Sequence, residues 1–297
     1  MSGVQNVIVF GASGFVGHTI LKELLKSSNF KSSAFSRIGG KKITVNGVNI
    51  VEGDLENHDS LVKALKGFDV VISAFAGEGL QKQAQIILAA KEAGVRRFVP
   101  SDFGYEYSLN IDGRDKPFVH PVIETKRSIK KAIADSGLEY TVIHNGYFID
   151  FAPQPWAPFL QGQNPDNVKF SIPGDGEAKL EWSTVVDTAK FLVASLADPI
   201  SRNAELKFRG DFKSFNEVAD LFEKYSGKKV EREYQPVDEL KKLIFNPPQP
   251  GLDFLFYIYA AIAEGQFQFS SVANDKFPEI KPETFDTVFR KIFDKRV

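Results

Sequence analysis

The segment Val7-Ile8-Val9-Phe10-Gly11-Ala12-Ser13-Gly14-Phe15-Val16-Gly17 constrains this chain more than any other. An apolar run without alternation is what a strand buried on both faces requires. It leads straight into G-x-x-G-x-x-G, and an amphipathic stretch over 16–26 follows. Strand, glycine loop and helix in that order make a phosphate-binding turn. Gly11 permits the tight turn, Gly14 lets the backbone approach a pyrophosphate, and Gly17 lets helix and strand pack closely. The helix start offers N–H groups and partial positive charge, so Ser13, Phe15 and Val16 join the glycines as expected cofactor contacts. No G-x-x-x-x-G-K-[ST] occurs, which excludes a P-loop.

The rest of the first half keeps the same rhythm. Strands are expected at 6–10, 33–36, 48–52, 69–74, 97–100 and 139–144, with helices at 16–26, 60–65, 80–93 and 119–135. Such alternation predicts an α/β fold with a doubly wound parallel sheet, a Rossmann-type nucleotide-binding domain over 1–150. Past residue 145 the pattern changes. Pro153, Pro155, Pro158 and Pro165 break 151–166 into loop and turns. Helices are expected near 183–197, 215–226, 236–244, 252–263 and 282–293, with a strand at 205–208. Ser214 and Glu217 have the spacing of a capping box. The expectation is a smaller, mostly helical substrate-binding part over 151–297, interleaved with the first because 183–210 packs back on the sheet.

Composition removes several function classes. Lys and Arg number 37 against 38 Asp and Glu, so no basic excess exists to neutralise a nucleic-acid backbone. Cysteine is absent, which excludes disulfides, thiolate metal sites and thiol nucleophiles. His18, His58, His120 and His144 show no ligand spacing, so no metal is expected. The apolar stretch 252–263 is about half of the roughly 20 residues a spanning helix needs. The N-terminus shows no targeting pattern, so a cytoplasmic protein, monomer or homodimer, is expected. Phenylalanine is abundant, at 27 of 297 residues, and suits either a rigid apolar cavity or a Phe-rich core.

The end of the second strand chooses the cofactor. An NAD site places an acid about 20 residues past the loop, to bond the ribose 2′-hydroxyl. Here Arg37 stands 20 residues after Gly17, with Lys41 and Lys42 close behind. A guanidinium with neighbouring ammonium groups suits a 2′-phosphate, which predicts NADPH over NADH; solvated loop charges are the alternative. Asp54, at the end of the third strand, is a candidate for the adenine or a local cap. Phe75 and Ala76, just past the fourth strand, complete this part of the cofactor set.

The helix starting at Pro121 carries an oddity. On a 100° wheel, Val122, Ile129 and Ile133 form one stripe with Lys126 in its middle, while Arg127, Lys130 and Lys131 read as a solvated face. A lysine on an apolar stripe either snorkels to water or is held by partners, where it can handle protons.

Taken together, several segments resemble the NmrA-like and isoflavone reductase-like branch of atypical short-chain dehydrogenase/reductases. They are Gly11 to Gly17, the run Ala93-Gly94-Val95-Arg96-Arg97-Phe98-Val99-Pro100-Ser101-Asp102-Phe103-Gly104, the Lys126 helix, Asn145-Gly146-Tyr147-Phe148, Pro173-Gly174-Asp175-Gly176 and Val186-Asp187. The resemblance implies that Lys126 is the catalytic general acid/base. It implies that Ser101, Asp102, Phe103, Asn145, Gly146 and Tyr147 contact the nicotinamide half of NADPH. Asp102 stands where plant members usually carry Glu. An aromatic pocket is expected from Tyr147, Phe148, Phe151, Trp156, Phe254 and Tyr257, with core packing as the alternative for each. The implied activity is NADPH-dependent reduction of an aromatic or conjugated small molecule, possible in secondary metabolism. The alternatives are a non-catalytic NADP(H)-sensing regulator and a non-reductive isomerase or dehydratase.

Overall fold

The computed structural model describes residues 4–41, 43–150 and 155–294. In chain order the strands are β1 Gln5–Phe10, β2 Phe30–Arg37, β3 Asn49–Gly53, β4 Val70–Ser73, β5 Arg97–Val99, β6 Glu139–His144, β7 Tyr147–Phe148, β8 Val168–Pro173, β9 Leu180–Ser183, β10 Ala204–Lys207, β11 Asp211–Lys213 and β12 Val230–Gln235. The helices are α1 Phe15–Leu24, α2 His58–Leu65, α3 Gln83–Glu92, α4 Pro121–Ser136, α5 Ala157–Leu160, α6 Val185–Ala197, α7 Phe215–Ser226, α8 Val237–Phe245, α9 Asp253–Ala263 and α10 Phe285–Phe293. A 3-10 turn, Gly77–Lys82, leads into α3.

Two compact units divide the chain. The first is Met1–Phe103, Pro121–His144 and Thr188–Leu206; the second is Gly104–His120, Asn145–Asp187 and Lys207–Val297. The first unit is built on a sheet of order β10-β6-β5-β4-β1-β2-β3. Its pairings from β3 through to β6 are all parallel. Val7, Ile8, Val9 and Phe10 are fully buried, the double-sided burial their unbroken apolarity implies. Ile8 and Phe10 join Val71, Phe98, Leu61, Ile86, Ile129 and Ile133 in one core under α2, α3 and α4. The Phe10 and Phe35 rings stack there, with centroids 4.3 Å apart.

The second unit holds strands that the sequence reading did not place. Among the described residues, β9 pairs antiparallel with β11 and parallel with β7, and β8 pairs parallel with β12. Segment 104–120 belongs to this unit, and 188–206 to the first, so neither unit is a single stretch of chain. The capping box at the start of α7 forms as its spacing implies: Ser214 Oγ accepts the Glu217 N–H, and the Glu217 carboxylate accepts the Ser214 N–H. The centre of the unit is aromatic. Trp156 packs against Phe170, Trp182, Phe285 and Phe289. Among the described residues, no helix is long and apolar enough to cross a membrane.

Candidate active site

The glycine loop follows β1 and turns the chain into α1. Gly11 has φ +73°, and a Cβ there would lie 2.5 Å from the Ala74 carbonyl oxygen. Only glycine fits where the loop is pressed against the chain leaving β4. A Cβ on Gly17 would run into the Gly11 carbonyl, which explains the third glycine. Gly14 caps α1 without a side-chain hydrogen bond, and no acid stands in the first turn of that helix. The helix start is therefore left for an anion.

A cavity of about 470 Å³ opens over this loop. Gly11, Ser13, Gly14, Arg37, Lys41, Phe75 and Ala76 all line it, so seven of the residues expected at the cofactor come together. Its size is that of a small-ligand or cofactor site. Uncapped helix start, glycine cradle and the lining cations Arg37 and Lys41 fit the phosphates of NADPH. Phe15 is exposed and Val16 half-buried on the first turn of α1, outside the lining. Asp54 also lies outside it. Its carboxylate accepts the Glu56 N–H at 2.9 Å, the local cap that was its alternative reading. Lys42 lies outside the described residues.

Among the lining groups that the sequence does not announce are Lys82 and Glu56. The two side chains form an ion pair at 2.7 Å. They sit 26 residues apart, one on the 3-10 turn and one after β3, so no local pattern announces them.

The chain leaving β5 connects this cavity to the lysine. Ser101 Oγ donates to the Phe75 carbonyl at 2.5 Å, and Ser101 N–H donates to Gln83 Oε1 at 2.8 Å. Gln83 is fully buried and holds Ser101 in place, another role no spacing suggests. Asp102 follows, only 1% exposed. Its main-chain carbonyl accepts Lys126 Nζ at 2.8 Å, and its carboxylate Oδ1 lies 3.6 Å from the same nitrogen. The Lys126 side chain is 12% exposed. The lysine is thus held by partners rather than stretched to water. Phe103 is half-buried next to Asp102.

Lys130 corrects the sequence reading. Expected on a solvated face, it is one helical turn from Lys126 and only 40° away on the wheel. Its Nζ lies 3.7 Å from Asp102 Oδ2 and 3.4 Å from Glu205 Oε1. The apolar side of α4 is made by Ile123, Ile129 and Ile133, with Ile123 rather than Val122 as its first member. Glu205 Oε2 meets buried His144 Nε2 at 2.7 Å. That hydrogen bond pulls the Glu205 carboxyl down to about 2, against burial, and Lys130 adds to the pull.

The remaining candidates lie in the second unit. Asn145 is fully buried; its Oδ1 has no hydrogen-bond partner among the described residues, an orphaned acceptor that suits a ligand amide. Tyr147 stands on β7 with its ring against Trp182, centroids 5.3 Å apart. It hydrogen-bonds Tyr259, whose hydroxyl burial pushes up to about 12. Gly146 and Tyr147 sit beside β9, where a Cβ on Gly146 would strike the Glu181 carbonyl. Phe148 and Phe254 are half-buried. Phe151 lies outside the described residues.

Trp156 and Tyr257 are corrections to the pocket list. Both are fully buried. Trp156 Nε1 donates to the Ile149 carbonyl at 2.7 Å, and Tyr257 donates its hydroxyl to the Tyr107 carbonyl at 2.8 Å. Large rings with satisfied polar tips in a packed centre are core residues.

Known proteins resemble this chain over almost all of its length. Eugenol synthase 2 of Clarkia breweri is 31% identical, covering 96% of this chain and 98% of its own. A phenylcoumaran benzylic ether reductase of Nicotiana tabacum is also 31% identical, with the same coverage. Among solved structures, an isoflavone reductase is 27% identical with TM-score 0.79, covering 97% of this chain and 99% of that one. A structure of AtPrR2 with NADP+ and (+)pinoresinol is 25% identical with TM-score 0.80, covering 98% and 100%. The NmrA-like family matches residues 4–288. Glycine loop, lysine helix and these likenesses agree: the chain belongs to the NmrA-like family.

Proposed function

We propose that this protein is an NADPH-dependent reductase of an aromatic or conjugated small molecule, with Lys126 as its general acid/base. One observation carries the reading. Lys126 Nζ is fixed to the Asp102 carbonyl at 2.8 Å, and neighbouring Ser101 bonds the carbonyl of Phe75, which lines the cofactor cavity. A nearly buried amine is thereby tied, through three chain positions, to the wall of a nucleotide site. The names of the relatives, reductases and synthases of aromatic compounds, point the same way.

Gly11, Ser13 and Gly14 would hold the phosphates, and Arg37 with Lys41 the 2′-phosphate. Ser101, Asp102, Phe103, Asn145, Gly146 and Tyr147 are assigned to the nicotinamide end. When bound, NADPH supplies a hydride to an electrophilic carbon. Lys126 Nζ gives or takes the proton at the oxygen or nitrogen conjugated with that carbon, where charge develops. Tyr147, Phe148 and Phe254 offer aromatic faces to the substrate. A cytoplasmic location and a monomeric or homodimeric state belong to the same reading.

The test is NADPH oxidation against a panel of enones, imines, quinones and benzylic ethers, in wild type and Lys126→Ala. Turnover lost at least a hundredfold in the variant, with NADPH binding retained, is the expected result. Tight binding of NADP(H) with no turnover of any compound would favour the regulator instead.

A further inference from the structure

Asp102 does not serve Lys126 alone. Its carboxylate lies between two ammonium groups, Lys126 at 3.6 Å on one oxygen and Lys130 at 3.7 Å on the other. It is 1% exposed, so water does little to screen either contact. Lys130 is held in turn by Glu205, at 3.4 Å, and Glu205 by His144, at 2.7 Å. Charges alternate along this row from the proposed proton-transfer amine to Glu205, whose side chain is 42% exposed.

Other charged groups on the segments packed against α4 are engaged elsewhere or lie in solvent. Lys82 pairs with Glu56, Glu92 with His58, and Glu139 with Arg97 and Arg202. Arg127 pairs with Glu124, and Lys131 with Asp135, along the helix. Glu78 and Lys91 are exposed. Among the described residues, Asp102, Lys130, Glu205 and His144 form the row of charged and polar groups that reaches Lys126.

We infer that Lys130, anchored by Glu205, is a positioning residue that sets how readily Lys126 gives up its proton, through the carboxylate the two lysines share. One negative charge divided between two cations binds each ammonium less firmly than a one-to-one pair. The second cation also repels the first. Both effects act on the Lys126 ammonium. Glu205 opposes them by compensating Lys130. This rests on the role proposed for Lys126, and the experiment separates the two.

The experiment is competitive labelling of the full-length protein with a trace of acetic anhydride at neutral pH, with the extent at Lys126 read by mass spectrometry of its peptide. Only the free amine reacts, so the rate follows its fraction. Lys130→Met removes the competing cation, and labelling of Lys126 should slow on the order of tenfold. Lys130→Arg should restore it. Glu205→Gln removes the compensating anion, and labelling should quicken severalfold. Opposite signs in Lys130→Met and Glu205→Gln are the signature, because a merely structural disturbance would expose Lys126 and quicken labelling in both. Unchanged or same-signed rates overturn the inference and leave the catalytic reading untouched. Undiminished NADPH oxidation in Lys126→Ala would instead overturn the catalytic reading, and with it the use proposed for this coupling, even with labelling rates of opposite sign.

Discussion

Reversing the charge at Arg37 should turn the protein against NADPH while sparing NADH. Arg37 ends β2 and lines the cavity over the glycine loop, together with Lys41. It is exposed, so its attraction to a phosphate belongs to the screened limit, about 1 kcal/mol per unit charge at ~4 Å. A 2′-phosphate carries nearly two charges, and aspartate replaces attraction by repulsion. Lys41 remains to offset part of the change. The net loss is ~2–3 kcal/mol, roughly 30- to 160-fold in affinity. Titration calorimetry of wild type and Arg37→Asp with both nucleotides measures it. NADH lacks the phosphate, so its affinity should change by less than about threefold. Raising the salt should shrink the difference, because an exposed pair is screened. Equal losses for both nucleotides would refute the assignment, and no loss for either would leave Arg37 as a solvated loop charge.

Two further outcomes follow from the second unit. Trp156→Ala removes a fully buried ring whose Nε1 satisfies the Ile149 carbonyl; stability should fall by ~3–5 kcal/mol, read from the denaturant midpoint, and a loss below ~1 kcal/mol would contradict its place in the core. Burial pushes the Asp150 carboxyl from 3.8 to about 6, against its bonds to the Val185 N–H, with Asp187 and Glu283 adding to the rise. The folded state then holds a proton the unfolded chain has released, so stability declines as pH climbs from about 4 to about 6. Asp150→Asn keeps an acceptor for Val185 and removes the charge; it should gain up to ~3 kcal/mol on wild type above pH 6 and nothing near pH 4, and a pH-independent difference in urea unfolding would disprove this.

Local signals carried far in the first unit. Unbroken apolarity at Val7 to Phe10 and the three glycines after it announced β1, the turn and α1, because each is dictated by neighbours in sequence. Arg37, Lys41, Phe75 and Ala76 reached the cavity because strand ends on one side of a parallel sheet converge there. Partners chosen by tertiary packing were invisible: Gln83 under Ser101, Glu56 beside Lys82, Glu205 beside Lys130. Lys130 could have been read correctly, since four residues along a helix bring side chains to one face. The strands of the second unit were missed for another reason. β7 has two residues and β11 three, too few to show a period, and β12, Val-Glu-Arg-Glu-Tyr-Gln, carries three adjacent charges in its six residues. Abundant aromatic residues were ambiguous between pocket and core, and at Trp156 and Tyr257 only burial decides.

The return of 188–206 to the nucleotide-binding unit limits how this protein can be taken apart. β10 closes one edge of the main sheet next to β6, and Arg97 reaches across to Ser201 at 2.9 Å as well as to Glu139. Arg97 is 2% exposed, so a fragment that stopped at residue 150 would strand a guanidinium with half its anchors gone and leave β6 as a raw, unpaired border open to self-association. During synthesis the same holds for a time: the sheet stays unfinished until some 60 further residues have emerged, and the nascent chain must shelter that border meanwhile.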